Sequence, residues 1–453
     1  MARGRKKETL TPEERLQAAL VPESEQPYPV SGNWCWVSLQ TIDQYQSSSI
    51  DPSKHPDTLF ELYSVPSRAD NHPEIVMGCE IGSTKQIVKK GDVLLCKINP
   101  RINRVWKVSQ HTENVLLASS EWIIVRNSKI DSDYLMYCFS APYFREYMLS
   151  NISGVGGSLM RAQPKYVKTY PIPVPPLSEQ QRIVDRIESL FAKLDEAKQK
   201  AQDALDSFET RKAAILHKAF TGELTAQWRK ERGVGMESWK NVSVSEICHS
   251  LKYGTAKKSS SEGTVVVIRM GNLQDGEINW DDLAYSNDEE DIEKFKLVPG
   301  DVLFNRTNSP ALVGKTSIYR GEYPAIYAGY LIKLGYDRSR IIGDYLNYSL
   351  NTISAKEHCN SVKTDGVNQS NINAKKIGAY VFTMPKINEQ TEIVRILDNL
   401  LAKERQAKEA AEGVLEQIGL IKKAILARAF RGELGTNDPS DESEVLALLQ
   451  CDS

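Results

Sequence analysis

The stretch RKAAILHKAFTGEL at residues 211–224 returns near the end of the chain as KKAILARAFRGEL at residues 422–434. Extended towards the N-terminus, the two stretches align without a gap over residues 177–224 and 387–434, with 20 identical positions in 48. Further upstream, GDVLLCKIN from Gly91 matches GDVLFNRTN from Gly300. Because such a repeat governs the whole architecture, we predict a duplicated chain in which each copy is a domain followed by a long helix.

The repeat divides the 453 residues into segments. Strand-like alternation with short helices in both domains predicts a mixed α+β fold. The predicted segments are a lead-in at 1–29, a first domain at 30–176, a first helix at 177–224, a linker at 225–235, a second domain at 236–386, a second helix at 387–434 and an acidic tail at 435–453. Within the tail, residues 444–450 are predicted to form a short helix.

Both long segments carry apolar residues at alternating three- and four-residue steps, which is typical of a coiled coil. The predicted seam contains Ile183, Ile187, Leu190, Leu194, Phe208, Ile393, Leu397, Leu400, Ile418, Ile421 and Ile425. A seam that occurs twice favours an antiparallel pairing of the two helices, because duplicated units tend to pack with approximate two-fold symmetry. In the competing interpretation, each helix packs only on its own domain.

Both helices have start and stop signals. Ser178 and Asn388 are the predicted N-caps, because their side chains can accept from the first free backbone N–H groups. Gly222 and Gly432 follow the last predicted turns, where a left-handed residue ends a helix.

Each seam has an interruption, at Arg211 in the first helix and at Glu404 in the second. The second helix also contains Gly413 and Gly419. Because glycine costs a helix up to about 1 kcal/mol, we expect the second helix to be the less regular of the two.

The composition is that of an ordinary soluble protein, with 41% hydrophobic and 26% charged residues. No apolar run approaches the roughly 20 residues of a transmembrane helix, and the N-terminus lacks the apolar segment of a secretory signal. The seven cysteines form no CxxC pair, so we expect a reducing cytoplasm and no metal site. With a formal net charge of −2, any contact with nucleic acid must come from local patches.

Sequence signatures of an enzyme are incomplete. VGKTS at residues 313–317 resembles the end of a P-loop, but Ser309 stands where the first glycine is required. INPRI at residues 98–102 lacks the second proline and the aromatic residue of an amino-group methyltransferase motif. No glycine-rich nucleotide-binding turn precedes a helix in the required context. We therefore expect neither catalytic residues nor a bound cofactor in this chain.

Basic and amide side chains cluster at corresponding places in both copies. Arg, Asn and Gln read base edges, and Lys mainly contacts phosphate. The first-domain candidates are Lys97, Arg101, Arg104, Lys107, Arg161, Gln163, Lys165 and Lys168. The second-domain candidates are Lys252, Tyr253, Lys257, Lys258, Asn305, Arg306, Asn308, Lys315, Gln369, Asn371 and Lys375. For each residue alone, ordinary loop polarity is the competing interpretation, whereas the correspondence between the copies favours a DNA-binding surface.

The order of domain, PIPVPPLSEQQRIV, helix, KAFTGELTAQW, domain, MPKINEQTEIV, helix and RAFRGEL resembles the specificity subunit of type I restriction-modification enzymes. The opening TPEERLQAALVPESEQPYPV, with a capping box from Thr11 to Glu14, is similar to the lead-in of that family. The resemblance covers essentially the whole chain. It implies that each domain is a target recognition domain that reads one half of a bipartite, asymmetric sequence in double-stranded DNA.

The same resemblance implies partners. The helices would act as a spacer and as the docking site of two methyltransferase subunits, to which restriction subunits are added. S-adenosylmethionine and ATP are then expected in those partners and not in this chain. The resemblance implies no catalytic role for the isolated chain.

Two other classes of function are left by the residues alone. A fusion of methyltransferase and nuclease is disfavoured by the missing cofactor and catalytic motifs. A coiled-coil adaptor that binds protein and not DNA would carry the same helices, and a DNA-binding assay separates it from a specificity subunit.

Overall fold

The computed structural model describes residues 12–153, 160–367 and 369–441, which form two compact units. The first unit contains the chain up to Lys200 and from Gly413 onward, and the second contains Ala201–Glu412. Each unit therefore combines one of the two domains with parts of both long helices. The predicted capping residue Thr11 and the predicted helix at residues 444–450 lie outside the described residues.

The chain up to Asp206 contains helices α1–α6 and strands β1–β12 in its described residues. The helices span Pro12–Ala19, Leu39–Ile42, Ser132–Ser140, Pro142–Ser150, Pro164–Val167 and Leu177–Asp206. The strands span Cys35–Ser38, Ser49–Ile50, Leu59–Tyr63, Glu74–Met77, Lys85–Ile87, Val93–Cys96, Val105–Lys107, Val115–Ala118, Trp122–Val125, Ile152–Ser153, Arg161–Ala162 and Pro171–Val174.

Two sheets build the first domain. Strands β2, β5, β8, β3 and β4 form one sheet in that order, with β3 and β8 parallel and the other neighbours antiparallel. Strands β7, β6 and β9 form an antiparallel sheet. All residues of β6 and β9 are buried, because VLLC and WIIV present apolar side chains to both faces. Strand β1 pairs with β12, which leads into α6.

The rest of the chain contains helices α7–α14 and strands β13–β26. The helices span Phe208–Phe220, Ala226–Arg232, Val244–Ile247, Glu289–Phe295, Gly343–Leu350, Ile353–Val362, Ala374–Gly378 and Ile387–Ala429. The strands span Lys240–Ser243, Cys248–Tyr253, Val265–Ile268, Leu273–Gln274, Glu277–Ile278, Tyr285–Ser286, Val302–Asn305, Thr307–Asn308, Thr316–Ile318, Ala325–Tyr327, Leu331–Tyr336, Thr364–Asp365, Ser370–Asn371 and Val381–Met384.

The second domain is built in the same way as the first. Strands β14, β23, β19 and β21 form an antiparallel sheet in that order, and β18, β15 and β22 form another. A small third sheet contains β20, β25 and β24. Strand β13 pairs with β26 next to the start of α14, as β1 pairs with β12 next to the start of α6. The predicted mixed fold of two repeats is confirmed.

The two long helices pair antiparallel in the first unit. Lys422 Nζ lies 2.6 Å from Asp195 Oδ1. Nearer the start of α6, Glu179 accepts from the backbone N–H of Asn437, just beyond α14, at 3.0 Å. The partner number rises as the position in α6 falls, so the chains run in opposite directions.

The same direction holds in the second unit. Lys408 Nζ lies 5.0 Å from the ring centroid of Phe208, and Arg211 Nε donates to Glu404 Oε2 at 2.8 Å. The predicted antiparallel pairing is therefore confirmed. Arg211 and Glu404, which interrupt the two seams, thus form an ion pair with each other.

The predicted N-caps are wrong. Helices α6 and α14 begin at Leu177 and Ile387, one residue before Ser178 and Asn388. The side chains of Gln180 and Gln390 instead reach back and donate to the carbonyl oxygen five residues earlier, at 2.9 and 2.8 Å. A proline at that position has no N–H, and its carbonyl is satisfied by the glutamine.

The expected difference in regularity is reversed. Helix α14 is continuous through Gly413 and Gly419, whereas the first long segment is interrupted at Ser207, between α6 and α7. Ser207 Oγ donates to the carbonyl oxygens of Asp203 and Ala204 at 2.8 and 3.2 Å. Such back-bonding of a serine distorts a helix locally, and it outweighs the modest cost of two glycines.

Burial follows most of the predicted seam. The buried members are Ile183, Ile187, Phe208, Ile393, Leu397 and Ile418, and the half-buried ones are Leu190, Leu194, Leu400 and Ile425. The assignment of Ile421 is wrong, because its side chain is 42% exposed. Lys422 takes that place, with Nζ 4.8 Å from the ring centroid of Phe191. Its aliphatic stem covers the seam while the ammonium group pairs with Asp195.

A buried glutamate stands at the start of each long helix, at the same position of the repeat. Glu179 is fully buried and accepts from Thr436 Oγ1 and from the backbone N–H of Asn437, both at 3.0 Å. Both donors follow the RGEL sequence that ends the second copy. The carboxylate therefore fastens the end of one copy to the start of the helix of the other.

Glu389 makes the corresponding connection in the second unit. It accepts from Thr225 Oγ1 at 2.7 Å, from Arg229 Nη1 at 2.6 Å and from Trp239 Nε1 at 3.1 Å. Its donors follow the TGEL sequence that ends the first copy. Glu389 thus holds the predicted linker, which is in fact largely the helix α8.

The glycines of α14 provide a stability prediction. A Cβ added at Gly413 or Gly419 meets nothing within 4 Å. Replacing each with Ala is expected to raise the free energy of unfolding by about 0.5–1 kcal/mol, because glycine loses more backbone entropy on folding. Thermal unfolding followed by circular dichroism measures the change. In the control, Gly432→Ala is expected to destabilise, since φ is +76° there. Lower stability of the α14 variants would contradict the prediction.

Candidate nucleic-acid interface

Three candidate side chains of the second domain lie in contact, although they come from distant parts of the sequence. Arg306 Nη2 donates to Asn371 Oδ1 at 3.0 Å, and Arg306 Nη1 lies 3.4 Å from the carbonyl oxygen of Gly329. The guanidinium carbon of Arg306 lies 4.9 Å from the ring centroid of Tyr253. We call Tyr253, Arg306 and Asn371 the second-domain cluster.

Strand pairing brings these residues together. Arg306 stands between β19 and β20, and its carbonyl oxygen accepts from the N–H of Ile372 at 2.8 Å. Asn371 is in β25, which pairs with β20. Tyr253 ends β14, and its hydroxyl accepts from the N–H of Ala374 at 3.0 Å. The cluster is therefore assembled on sheet ends and does not depend on a free loop.

The surroundings of the cluster are exposed. Strands β24 and β25 form a hairpin that is closed by the N–H of Gly366 donating to the carbonyl oxygen of Gln369 at 2.7 Å. Val367, near the tip, is fully exposed, and Tyr253 and Tyr330 are 41% and 48% exposed. A half-buried arginine between aromatic and amide side chains, at the edge of this exposed surface, is suited to base edges.

The first domain has a cluster at the same place. The N–H of Ala162 donates to the carbonyl oxygen of Lys97 at 2.8 Å, as that of Ile372 does to Arg306. The N–H of Lys97 donates to the carbonyl oxygen of Glu121 at 3.0 Å, as that of Arg306 does to Tyr330. We call Lys97, Glu121 and Arg161 the first-domain cluster.

An ion pair distinguishes the first-domain cluster from the second. Arg161 Nη2 lies 3.2 Å from Glu121 Oε1. This hydrogen bond raises the pKa of the Arg161 guanidinium above its usual value, so the group stays fully charged. The same backbone frame thus presents different polar groups in the two domains.

Other lysine candidates are engaged in ion pairs or hydrogen bonds. Lys107 pairs with Asp133, and Lys315 Nζ donates to Gln274 Oε1 at 2.8 Å. Lys257 Nζ lies 2.8 Å from Asp288 Oδ2 at the start of α10, and this carboxylate raises the pKa of the ammonium group. Asp133, Gln274 and Asp288 therefore compete with DNA phosphate for these three ammonium groups.

The assignment of Asn305 to the surface is wrong. Asn305 ends β19, whose four residues are all buried, and its side chain is fully buried. Neither its Oδ1 nor its Nδ2 has a hydrogen-bond partner among the described residues. Because successive side chains of an extended chain point in opposite directions, Asn305 points into the domain whereas Arg306 points outward.

The remaining candidates belong to neither cluster. The exposed ones are Arg101, Lys165, Lys168, Lys252, Lys258, Gln369 and Lys375, and the half-buried ones are Arg104, Gln163 and Asn308. In the described part of the chain, no group of three or more His, Cys, Asp and Glu residues is arranged to hold a metal ion.

Sequence reasoning missed Glu121 of the first-domain cluster and Tyr330, whose carbonyl oxygen accepts from the N–H of Arg306. Tyr330 belongs to an alternating stretch that predicts a strand, but it lies in the turn before β23. Glu121 is acidic, and an acidic side chain is not expected on a surface that contacts phosphate. The signal available for both was the repeat, because Glu121 and Tyr330 stand at the same distance after the matching GDVL sequences that begin at Gly91 and Gly300.

Comparison with known families decides the relationship. The family model of the type I restriction modification DNA specificity domain matches residues 70–205 and 236–413. The chain belongs to this family. Its two matched segments contain both clusters and most of the paired helices.

The chain is similar to specificity subunits of type I restriction enzymes. The chain is 27% identical to the EcoKI specificity subunit of Escherichia coli over 71% of each protein. It is 24% identical to the StySPI specificity subunit of Salmonella potsdam over 67% of this chain and 66% of that protein. The match thus spans about two thirds of the length of these relatives.

Two solved structures share the fold of this specificity-family chain. One, from work on complex assembly and conformational transition of the type I R-M system, has a TM-score of 0.72 at 20% identity and covers 90% of this chain and all of its own. The other is the HsdS subunit from Thermoanaerobacter tengcongensis, with a TM-score of 0.63, 20% identity and the same coverage. At this identity the likeness concerns the fold.

Proposed function

We propose that the chain is the DNA-specificity subunit of a type I restriction-modification enzyme and reads a bipartite, asymmetric target. The observation that carries this proposal is the pair of clusters, which occupy the same backbone positions in two domains but differ in chemistry. Two such readers on one chain suit two half-sites of different sequence, just as a dimer suits a palindrome.

The proposed contacts fall into two classes. Arg306 and Arg161 lie in the clusters and have the donor geometry for base edges. The exposed lysines, Lys252, Lys258 and Lys375 in the second domain, suit phosphate. With a net charge of −2, the chain itself has little general attraction for DNA, so partner subunits are proposed to supply further phosphate contacts.

The proposed partners are two methyltransferase subunits, together with restriction subunits. Helix α14 offers them an apolar surface, since Val414, Leu420 and Ile421 are 40%, 63% and 42% exposed. Exposed apolar side chains on a charged helix suit contact with another protein. Methyl transfer and ATP hydrolysis are assigned to those partners, and the isolated chain is proposed to be non-catalytic.

The proposed site of action is the cytoplasm, where the DNA of a prokaryotic cell is found. No helix in the described ranges is both long and apolar enough to cross a membrane. The alternative of a protein-binding adaptor without DNA specificity is not favoured, because the family match covers both domains as DNA specificity domains.

Genome-wide mapping of methylated adenines, in cells that express the chain with its methyltransferase subunit, tests the proposal. The expected result is one bipartite sequence that disappears when the chain is omitted. The purified complex should bind that sequence at least about 1000-fold more tightly than unrelated DNA. Methylation without a common sequence, or methyl transfer by the rigorously purified chain alone, would contradict the proposal.

A further inference from the structure

The second-domain cluster supports a specific assignment, which rests on the proposed function. We propose that Arg306 reads a guanine in one half-site and that Asn371 and Tyr253 are positioning residues which hold its guanidinium group. Arginine is the side chain that contacts guanine O6 and N7 most often, because its planar fork donates to both acceptors at once.

The hydrogen bonds of Arg306 leave the required donors. One N–H of Nη2 is directed to Asn371 Oδ1 at 3.0 Å, and one N–H of Nη1 is directed to the carbonyl oxygen of Gly329 at 3.4 Å. Nε is buried and has no partner among the described residues. One N–H on each terminal nitrogen therefore remains, which leaves two donors for the O6 and N7 of a guanine.

The guanidinium group is held on three sides. Tyr253 lies 4.9 Å away and covers one face, which is a cation–π arrangement. Because the arginine is oriented before DNA arrives, binding a base costs less side-chain entropy than with a free surface arginine. A phosphate contact needs no such fixed orientation, so the geometry favours a base.

Asn371 is better suited to positioning than to reading. Its Oδ1 accepts from Arg306, and its Nδ2 donates to Thr307 Oγ1 at 2.9 Å. Both ends of the amide are therefore engaged inside the protein, and these two hydrogen bonds fix the amide beside the guanidinium group. Tyr253 is fixed in turn by the hydrogen bond that its hydroxyl accepts from Ala374.

The first domain provides independent support. Its backbone frame is the same, but Lys97 replaces Arg306 and Arg161 replaces Asn371. Glu121 occupies the place of Tyr330 and pairs with Arg161. Divergence at these positions, on a retained frame, is expected where two domains read different bases.

The experiment uses the complex of the chain with its methyltransferase subunits and the target sequence mapped for the wild type. Dissociation constants are measured by fluorescence anisotropy on duplexes that carry each single base-pair change. Arg306→Ala is expected to weaken target binding about 10- to 100-fold and to abolish discrimination at one G·C pair of one half-site. The other half-site should keep its discrimination.

Arg306→Lys separates base reading from charge. It keeps the positive charge but loses the fork, so it should lose the same discrimination as Arg306→Ala while it keeps the wild-type salt dependence. Full discrimination by Arg306→Lys would overturn the proposal, because the residue would then act as a point charge. The proposal is also overturned if Arg306→Ala relaxes no position or relaxes an A·T pair.

Asn371→Ala tests the positioning role. It should relax the same G·C pair by a smaller factor, and the double variant with Arg306→Ala should bind no more weakly than Arg306→Ala alone. An additive loss would mean that Asn371 makes its own contact, which would overturn its role. Arg338→Ala, at a side chain that is 55% exposed and pairs with Asp301, is the matched control and should leave binding unchanged. A wild type without sequence preference would refute the proposed function itself.

Discussion

Glu389→Ala is expected to destabilise the second unit by about 3–5 kcal/mol, because it leaves the buried guanidinium of Arg229 without its carboxylate. The side chains of Arg229 and Glu389 are 11% and 3% exposed, so water cannot replace the lost partner. Thr225 Oγ1 and Trp239 Nε1 lose their acceptor at the same time. Hydrogen exchange at residues 226–239 measures the effect, and protection there should fall about 100-fold or more.

A second glutamate of α14, the helix that contains Glu389, provides the matched control. Glu392→Ala removes an ion pair with Arg395, whose side chain is 65% exposed, and it should change stability by less than about 1 kcal/mol. The double variant Glu389→Leu with Arg229→Met should recover much of the loss, because no unpaired charge then remains buried. Wild-type protection in Glu389→Ala would show that the carboxylate does not hold the linker.

Phe430→Ala is expected to destabilise the first unit by about 3–5 kcal/mol, because it empties a fully buried aromatic site. The ring centroid of Phe430 lies 5.2 Å from that of Tyr134, and the residue belongs to the core shared by the first domain and the end of α14. Urea unfolding followed by circular dichroism measures the loss.

Two variants calibrate this result. Leu420→Ala in α14, the helix that ends one residue before Phe430, should change stability by less than about 0.5 kcal/mol, because its side chain is 63% exposed. Phe220 is the counterpart of Phe430 in the first copy, and its ring centroid lies 5.0 Å from that of Tyr345. Because Phe220 is only half-buried, Phe220→Ala should lower the free energy of unfolding by less than Phe430→Ala does. Equal losses for Leu420→Ala and Phe430→Ala would show that burial at the helix end does not support the first unit.

Local patterns in the sequence were sufficient for the architecture. The repeat that ends in RKAAILHKAFTGEL and KKAILARAFRGEL predicted two domains, two long helices and their antiparallel pairing. The domains and helices follow from near neighbours along the chain, since heptad spacing and strand alternation depend on a few residues at a time. The pairing follows from the recurrence of the seam in both copies. Local patterns failed where one side chain changes the outcome. At Ser207 the hydroxyl donates back to helix carbonyls and interrupts the first long helix. At position 422 a lysine, and not the neighbouring Ile421, contacts α6.

Local reasoning about the candidate interface was less successful. It found Arg306 and Asn371 but not Tyr330 or Glu121, and it placed Asn305 on the surface. Residue type predicts which chemistry is available, whereas orientation depends on the phase of the strand. A shift of one position moves a side chain from the core to the surface, and that phase is set by pairing with strands that are remote in sequence.

The sequence by itself determined the duplication, the helix pairing and the resemblance to the specificity family. Only the tertiary structure decided that Tyr253, Arg306 and Asn371 meet at one point, and that Glu389 holds Arg229 across a gap of 160 residues. The physical reason is that periodicity depends on residues that are near neighbours in sequence. The meeting of distant side chains depends on the packing of the whole domain, where strand register and burial select one arrangement.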